Sequence, residues 1–128
     1  KIIDIKTSTR GWRDYEKKNK NKTAQVILYK HFYSKKYNIP VDKIDVEYFI
    51  VKRKLWENLD FPQKRVQLFS PASGTVTINR TVDSLSKFAS EAFDEVGEKI
   101  IKEYEATPSK GSCRWCEFKN TRHCDKGV

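Results

Sequence analysis

The sequence predicts an α/β (α+β) domain with a mixed central sheet flanked by helices. Three observations predict it. The chain opens on an apolar β-branched run, Lys1 to Ser8. A second run, Ile44 to Leu55, is apolar on both faces, and two amphipathic helical stretches alternate with these strands. With 128 residues the chain is long enough for a single core. Residues 1–106 are expected to form the core, and residues 107–128 a cysteine-rich tail of the same domain.

In the first run, Ile2, Ile3 and Ile5 are β-branched and apolar, whereas Asp4 and Lys6 interrupt them two residues apart. Residues i and i+2 of a strand share a side, so both charged heads emerge on one face. A carboxylate and an ammonium beside a sheet interior are costly to desolvate without partners or work. The chemical reading is a metal-binding carboxylate next to a lysine that positions a water. The plain reading is an edge strand with an exposed ion pair. D/E-x-K triplets also occur at Glu16-Lys17-Lys18 and Glu117-Phe118-Lys119, but only Asp4 lies in an apolar strand.

Thr9 to Lys22 is polar and lysine-rich and reads as a solvated loop. Within it Arg10, Trp12 and Arg13 combine cations with an aromatic ring, a set suited to gripping a phosphate backbone and stacking on a base. A tryptophan folded back onto the core beside surface arginines fits equally well. Thr23 to Tyr37 reads as a helix with Thr23 as N-cap. Val26, Leu28, Tyr29, Phe32 and Tyr33 form its broad apolar face, and Gln25 and Tyr29 lie one turn apart on one side. Asn38-Ile39-Pro40 ends it.

Ile44 to Leu55 places Val46, Tyr48 and Ile50 on one side and Glu47, Phe49 and Val51 on the other, which predicts an interior strand with helices on each side. Trp56 to Lys64 reads as a loop, Arg65 to Phe69 as a short strand, and Gly74 to Ile78 as a further one. Thr81 to Glu105 carries Val82, Leu85, Phe88, Ala92, Phe93, Val96, Ile100 and Tyr104 at spacings of three and four. That pattern predicts one long core-facing helix, weakened at Gly97.

The tail holds all three cysteines, Cys113, Cys116 and Cys124. C-x2-C is a ligand spacing for zinc or iron–sulfur sites, because a tight turn lets two thiolates converge on one metal. Three cysteines cannot pair off as disulfides. His123 is a candidate fourth ligand for Zn²⁺, although it directly precedes Cys124. Convergence of the three sulfurs on one centre is expected; free thiols in a loose tail are the plain alternative.

The chain carries 26 basic and 17 acidic side chains, a net charge of +9 with an isoelectric point near 9.5. Such an excess points to a polyanionic partner, nucleic acid before an anionic membrane surface. No apolar run approaches the roughly 18 residues of a spanning helix, and no signal-peptide pattern is present. A soluble, cytoplasmic protein is expected. The chain has no methionine and opens inside a strand without a preceding turn, so it reads as a piece of a longer protein.

Taken together, Ile2-Ile3-Asp4-Ile5-Lys6-Thr7, Gln25-Val26-Ile27-Leu28-Tyr29 and the three cysteines resemble, in that order, the PD-(D/E)xK nuclease superfamily. Specifically, they resemble its RecB-like branch, which includes AddB-type helicase-nuclease subunits, CRISPR-associated exonucleases and phage relatives. The first segment resembles the D-x-K strand, the second the Q-x-x-x-Y helix, and the cysteines the last three of four that hold a 4Fe-4S cluster. The family's earlier metal-binding acid and first cysteine have no counterpart here and are expected upstream of Lys1. The seven-residue gap between Cys116 and Cys124 also exceeds the five expected.

The resemblance implies a restriction-endonuclease-like core and a bacterial or phage-encoded exonuclease that hydrolyses DNA in recombination, repair or phage DNA processing. A helicase subunit or domain is an implied partner. It further implies that Asp4, the upstream acid and the backbone carbonyl of Ile5 hold one or two Mg²⁺ or Mn²⁺ ions. Lys6 would orient the attacking water, and Gln25 and Tyr29 would support the site or contact DNA near the scissile bond. The cluster would be structural. Two other readings stand beside this one: a catalytically incomplete nucleic-acid-binding module with the nuclease fold, and a zinc-binding interaction protein centred on the tail.

Overall fold

In the computed structural model, which describes residues 1–128, the opening run is strand β1 (Ile2–Ser8). It is followed by helices α1 (Asp14–Lys17) and α2 (Lys20–Tyr37), then by strands β2 (Val46–Lys52) and β3 (Val66–Phe69). Helices α3 (Thr75–Ala92) and α4 (Lys110–Cys113) complete the order. The chain divides into two compact units, Lys1–Glu91 and Ala92–Val128.

The first unit is built on a mixed sheet in the order β1-β2-β3. β1 pairs parallel with β2, with Asp4 opposite Tyr48 and Lys6 opposite Ile50; β3 returns antiparallel to β2. A parallel pair needs a crossover, and α2 supplies it. Val26 of α2 packs with Val46, Tyr48, Ile50 and Trp12 into the core, and Ile2 and Phe69 close its edge. Tyr48, Ile50 and Val26 are fully buried, each worth about 1.5–3 kcal/mol in removed apolar surface. Burial pushes the Tyr48 phenol above its usual range, so it stays protonated and donates to the Lys22 carbonyl at 2.7 Å.

β1 is inverted relative to an ordinary half-buried strand. Asp4 and Lys6 lie on its inner face with Ile2, whereas Ile3 and Ile5 point outward and are 52% and 69% exposed. Leu68 of β3 is exposed beside the half-buried Phe49 of β2, its register partner on the same outer face. Helices over both faces of β2 were expected. Instead α2 covers the inner face and the outer one stays open.

Several element boundaries differ from the sequence reading. The Thr9–Lys22 stretch contains α1 and the first turn of α2. Asn19, not Thr23, caps α2, its side chain accepting from the backbone N–H groups of Asn21 and Lys22. Thr23 instead sits buried inside the helix. The helix stops at Asn38, which adopts a left-handed conformation at φ 51°. The predicted strand at Gly74–Ile78 is the start of α3, whose Ile78 extends the Val82–Leu85 stripe backward by one turn and is buried.

α3 also ends far short of Glu105. In the second unit, Asp94 Oδ1 accepts from the N–H groups of Val96 and Glu98, and Gly97 takes φ +85°. The chain therefore reverses, Phe93 bridges to Lys99, and Ile100 N–H donates to the Ala92 carbonyl. Asx-type bonding to the local backbone has outcompeted helix propagation. Val96 is consequently 82% exposed rather than core-facing. The remainder of this unit is irregular apart from α4, capped by Ser109, and a bridge between Thr121 and Cys124.

Candidate active site

The inner face of β1 and the facing side of α2 bring four predicted residues together. Lys6 Nζ lies 3.0 Å from Asp4 Oδ2 and donates to Gln25 Oε1 at 2.6 Å. Gln25 Nε2 donates in turn to Tyr29 Oη, also at 2.6 Å. Two periodicities produce this chain of contacts. Two residues of strand advance about 6.7 Å, and four residues of helix advance about 6 Å. As α2 runs back along β1, Gln25 meets Lys6 and Tyr29 comes to the level of Asp4. Both Asp4 and Tyr29 act electrostatically on the Tyr48 phenol beneath them.

The electrostatics of the pair are unbalanced. The Asp4 side chain is mostly buried, and its Oδ2 accepts no hydrogen bond. Lys6 sits at ion-pair distance from that oxygen but directs its short hydrogen bond to Gln25. A buried carboxylate oxygen without a hydrogen bond costs roughly 1–3 kcal/mol or more. Such an atom suits a hard divalent cation, since Mg²⁺ takes oxygen ligands and is commonly bound through one or two carboxylates together with substrate phosphates. Asp4 is therefore a fitting ligand. Ile5 turns its side chain outward, so only its backbone carbonyl is available to such an ion.

The three residues expected to contact DNA beyond β1 divide. Trp12 is a correction: its ring is buried against Tyr48, with centroids 4.8 Å apart, and is not a surface for stacking on a base. Its backbone is clamped by Gln67, which accepts from Trp12 N–H at 2.7 Å and donates to Trp12 O at 3.1 Å. Gly11, at φ +92°, makes that clamp possible, because a Cβ there would meet Gln67 Oε1 at 2.9 Å. Arg10 and Arg13 are exposed. The Arg10 guanidinium lies 3.7 Å over the ring of Trp56, a residue read from the sequence only as part of a loop. No local pattern could have linked two positions that far apart.

The tail is a second correction. No group of three or more His, Cys, Asp or Glu side chains is gathered so as to hold a metal ion. Cys113 is buried at the end of α4, Cys116 is exposed in the following turn, and Cys124 is half-buried. The C-x2-C turn is thus present, but its two thiols face different surroundings. The Cys113 thiol is held below its usual range, chiefly by backbone hydrogen bonding at Val128 and Ser109. His123 accepts from Arg122 Nε at 3.1 Å instead of joining the cysteines. The residues present do not fit a 4Fe-4S cluster or a zinc site.

A family model of the PD-(D/E)XK nuclease superfamily matches residues 1–121. No curated protein and no solved structure matches the chain significantly. The mixed sheet and flanking helices agree with a restriction-endonuclease-like core. No helix is long and apolar enough to cross a membrane. The match extends over nearly the whole sequence, and the chain belongs to the PD-(D/E)XK nuclease superfamily.

Proposed function

We propose that this chain is a Mg²⁺- or Mn²⁺-dependent nuclease that hydrolyses phosphodiester bonds in DNA, with Asp4, Lys6, Gln25 and Tyr29 as its working residues. The observation that carries the reading is the buried Asp4 Oδ2, without a hydrogen bond, beside a lysine already held by Gln25. Asp4 and the Ile5 carbonyl would hold the ion. When bound, such an ion polarises a phosphate and lowers the pKa of a coordinated water. Lys6 orients the attacking water and neutralises charge developing on the phosphate, as a preorganised cation does. Gln25 fixes the lysine head, and Tyr29 fixes the Gln25 amide by accepting its N–H.

The finer assignment, an exonuclease in recombination, repair or phage DNA processing with a helicase partner, is supported by the RecB-like order of D-x-K and Q-x-x-x-Y. One observation favours a second reading. Asp4 is the single acid in the Asp4–Lys6–Gln25–Tyr29 chain of contacts, as expected of a DNA-binding module that keeps the nuclease fold without the activity. Incubation with linear DNA and Mg²⁺ or Mn²⁺ separates the two. Cleavage that disappears in Asp4→Ala supports the nuclease. DNA binding of ordinary affinity with no cleavage under either metal supports the inactive module.

A further inference from the structure

The side of α2 that carries Gln25 and Tyr29 continues in Tyr33 and Tyr37, each four residues further on. All three tyrosines are 43–53% exposed, although the sequence places Tyr29 and Tyr33 on the broad apolar face of the helix. The matched steps of strand and helix that set Gln25 against Lys6 carry Tyr33 to the level of Ile2. There it lines a pocket of about 240 Å³ together with Lys1, Lys43 and Ile2. Tyr33 and Tyr37 pack ring against ring at 4.5 Å, and Lys36 Nζ lies 5.4 Å from the Tyr37 ring. Lys1 is neutralised in part by Glu47, at 3.3 Å. Lys36 and Lys43 make no ion pair.

The charge of the chain lies on the same side of the ledger as this stripe. Residues 1–91 hold 19 basic and 10 acidic side chains, whereas residues 92–128 hold seven of each. The whole excess of +9 therefore belongs to the unit that contains α2. A row of exposed rings beside lysines, leading away from a phosphodiester-cleaving centre, has the chemistry of a path for an unpaired strand. Bases free of pairing can offer their faces to aromatic rings, and lysines meet the backbone. A duplex keeps those faces inside its own stack.

We infer that Tyr33 and Tyr37, with Lys36 and Lys43, form a binding track for single-stranded nucleic acid that begins at Tyr29 and runs along α2 away from Asp4 and Lys6. The track deepens the nuclease reading and rests on it for the position of the scissile phosphate. From Gln25 to Tyr37 the helix advances about 18 Å, the length of roughly five stacked nucleotides.

The test is fluorescence anisotropy with a labelled oligothymidylate of about a dozen nucleotides and with a blunt duplex of similar length, both in EDTA. Tyr33→Ala and Tyr37→Ala should each weaken binding of the single strand about five- to a hundredfold, the range measured for losing one stacked base. Duplex binding should change less than about twofold, and Tyr33→Phe should bind like the parent chain. Circular dichroism checks folding; if Tyr33→Ala fails to fold, Tyr37→Ala decides. Unchanged single-strand binding in the folded alanine variants, or equal losses for duplex, overturns the track. So does a Tyr33→Phe loss as large as that of Tyr33→Ala. A chain that cleaves DNA but binds oligothymidylate indifferently to these tyrosines loses the track and keeps the nuclease. One that binds through Tyr33 yet cleaves nothing loses the nuclease alone.

Discussion

The two faces of the sheet are built from similar residue types and do opposite things. On the inner face, Tyr48 and Ile50 are fully buried under Val26 of α2, and the charged pair Asp4 and Lys6 sits next to them. On the outer face Ile3, Ile5 and Leu68 remain exposed. Hydrophobic patterning alone would turn β1 over, since that would bury its isoleucines and solvate its charges. Pairing in register with β2 and contact with Gln25 keep the charges inside. Strain of this kind, tolerated where the surrounding fold over-determines it, is expected at functional sites. The inner face therefore holds the buried core together with the charged pair, while the outer face buries little.

The largest expected effect breaks that contrast directly. Ile50→Ala removes a fully buried side chain and should cost about 2–5 kcal/mol in chemical denaturation. Ile5→Ala, at a 69% exposed position on the adjacent strand, should cost no more than about 0.5 kcal/mol. Comparable losses at both positions would mean that the outer face is covered in solution.

A smaller effect sharpens the account of the inner face. Asp4→Ala deletes a buried oxygen that accepts no hydrogen bond and also the ion partner of Lys6, two opposed terms. Stability without added metal should therefore change by no more than about 1 kcal/mol. Mg²⁺ should raise the melting temperature of the parent chain and leave Asp4→Ala unmoved, because only a folded site that binds the ion gains from it. A clear loss of stability in Asp4→Ala would show that the carboxylate is there for the fold.

How much of this was legible in the sequence depended on the range of the interaction. The D-x-K and Q-x-x-x-Y pairs could be read because each depends on one local period, two in a strand and four in a helix. Those periods also brought the pairs together. The start of α2 and the end of α3 fall elsewhere than the apolar pattern predicts, because short polar side chains, Asn19 and Asp94, bond to nearby backbone. Trp12 went to the core because Gln67 and Gly11 fix its backbone, a tie spanning 55 residues that no window of sequence contains. The cysteine spacing allowed two thiols to share a metal, but spacing is only permissive. Cys113 is buried and Cys116 exposed, and no metal-holding group forms around them.

The central claim is that Lys6 serves chemistry instead of merely gripping a phosphate. Cleavage and binding of the same DNA, measured side by side for Lys6→Ala, test it most directly. Losing a preorganised cation at the reacting phosphate should lower the cleavage rate by about a hundredfold or more. Affinity measured without metal should change by less than about threefold, because one partly exposed lysine is a small share of a surface with a charge of +9. Equal losses of cleavage and binding would contradict the account and reduce Lys6 to a phosphate contact.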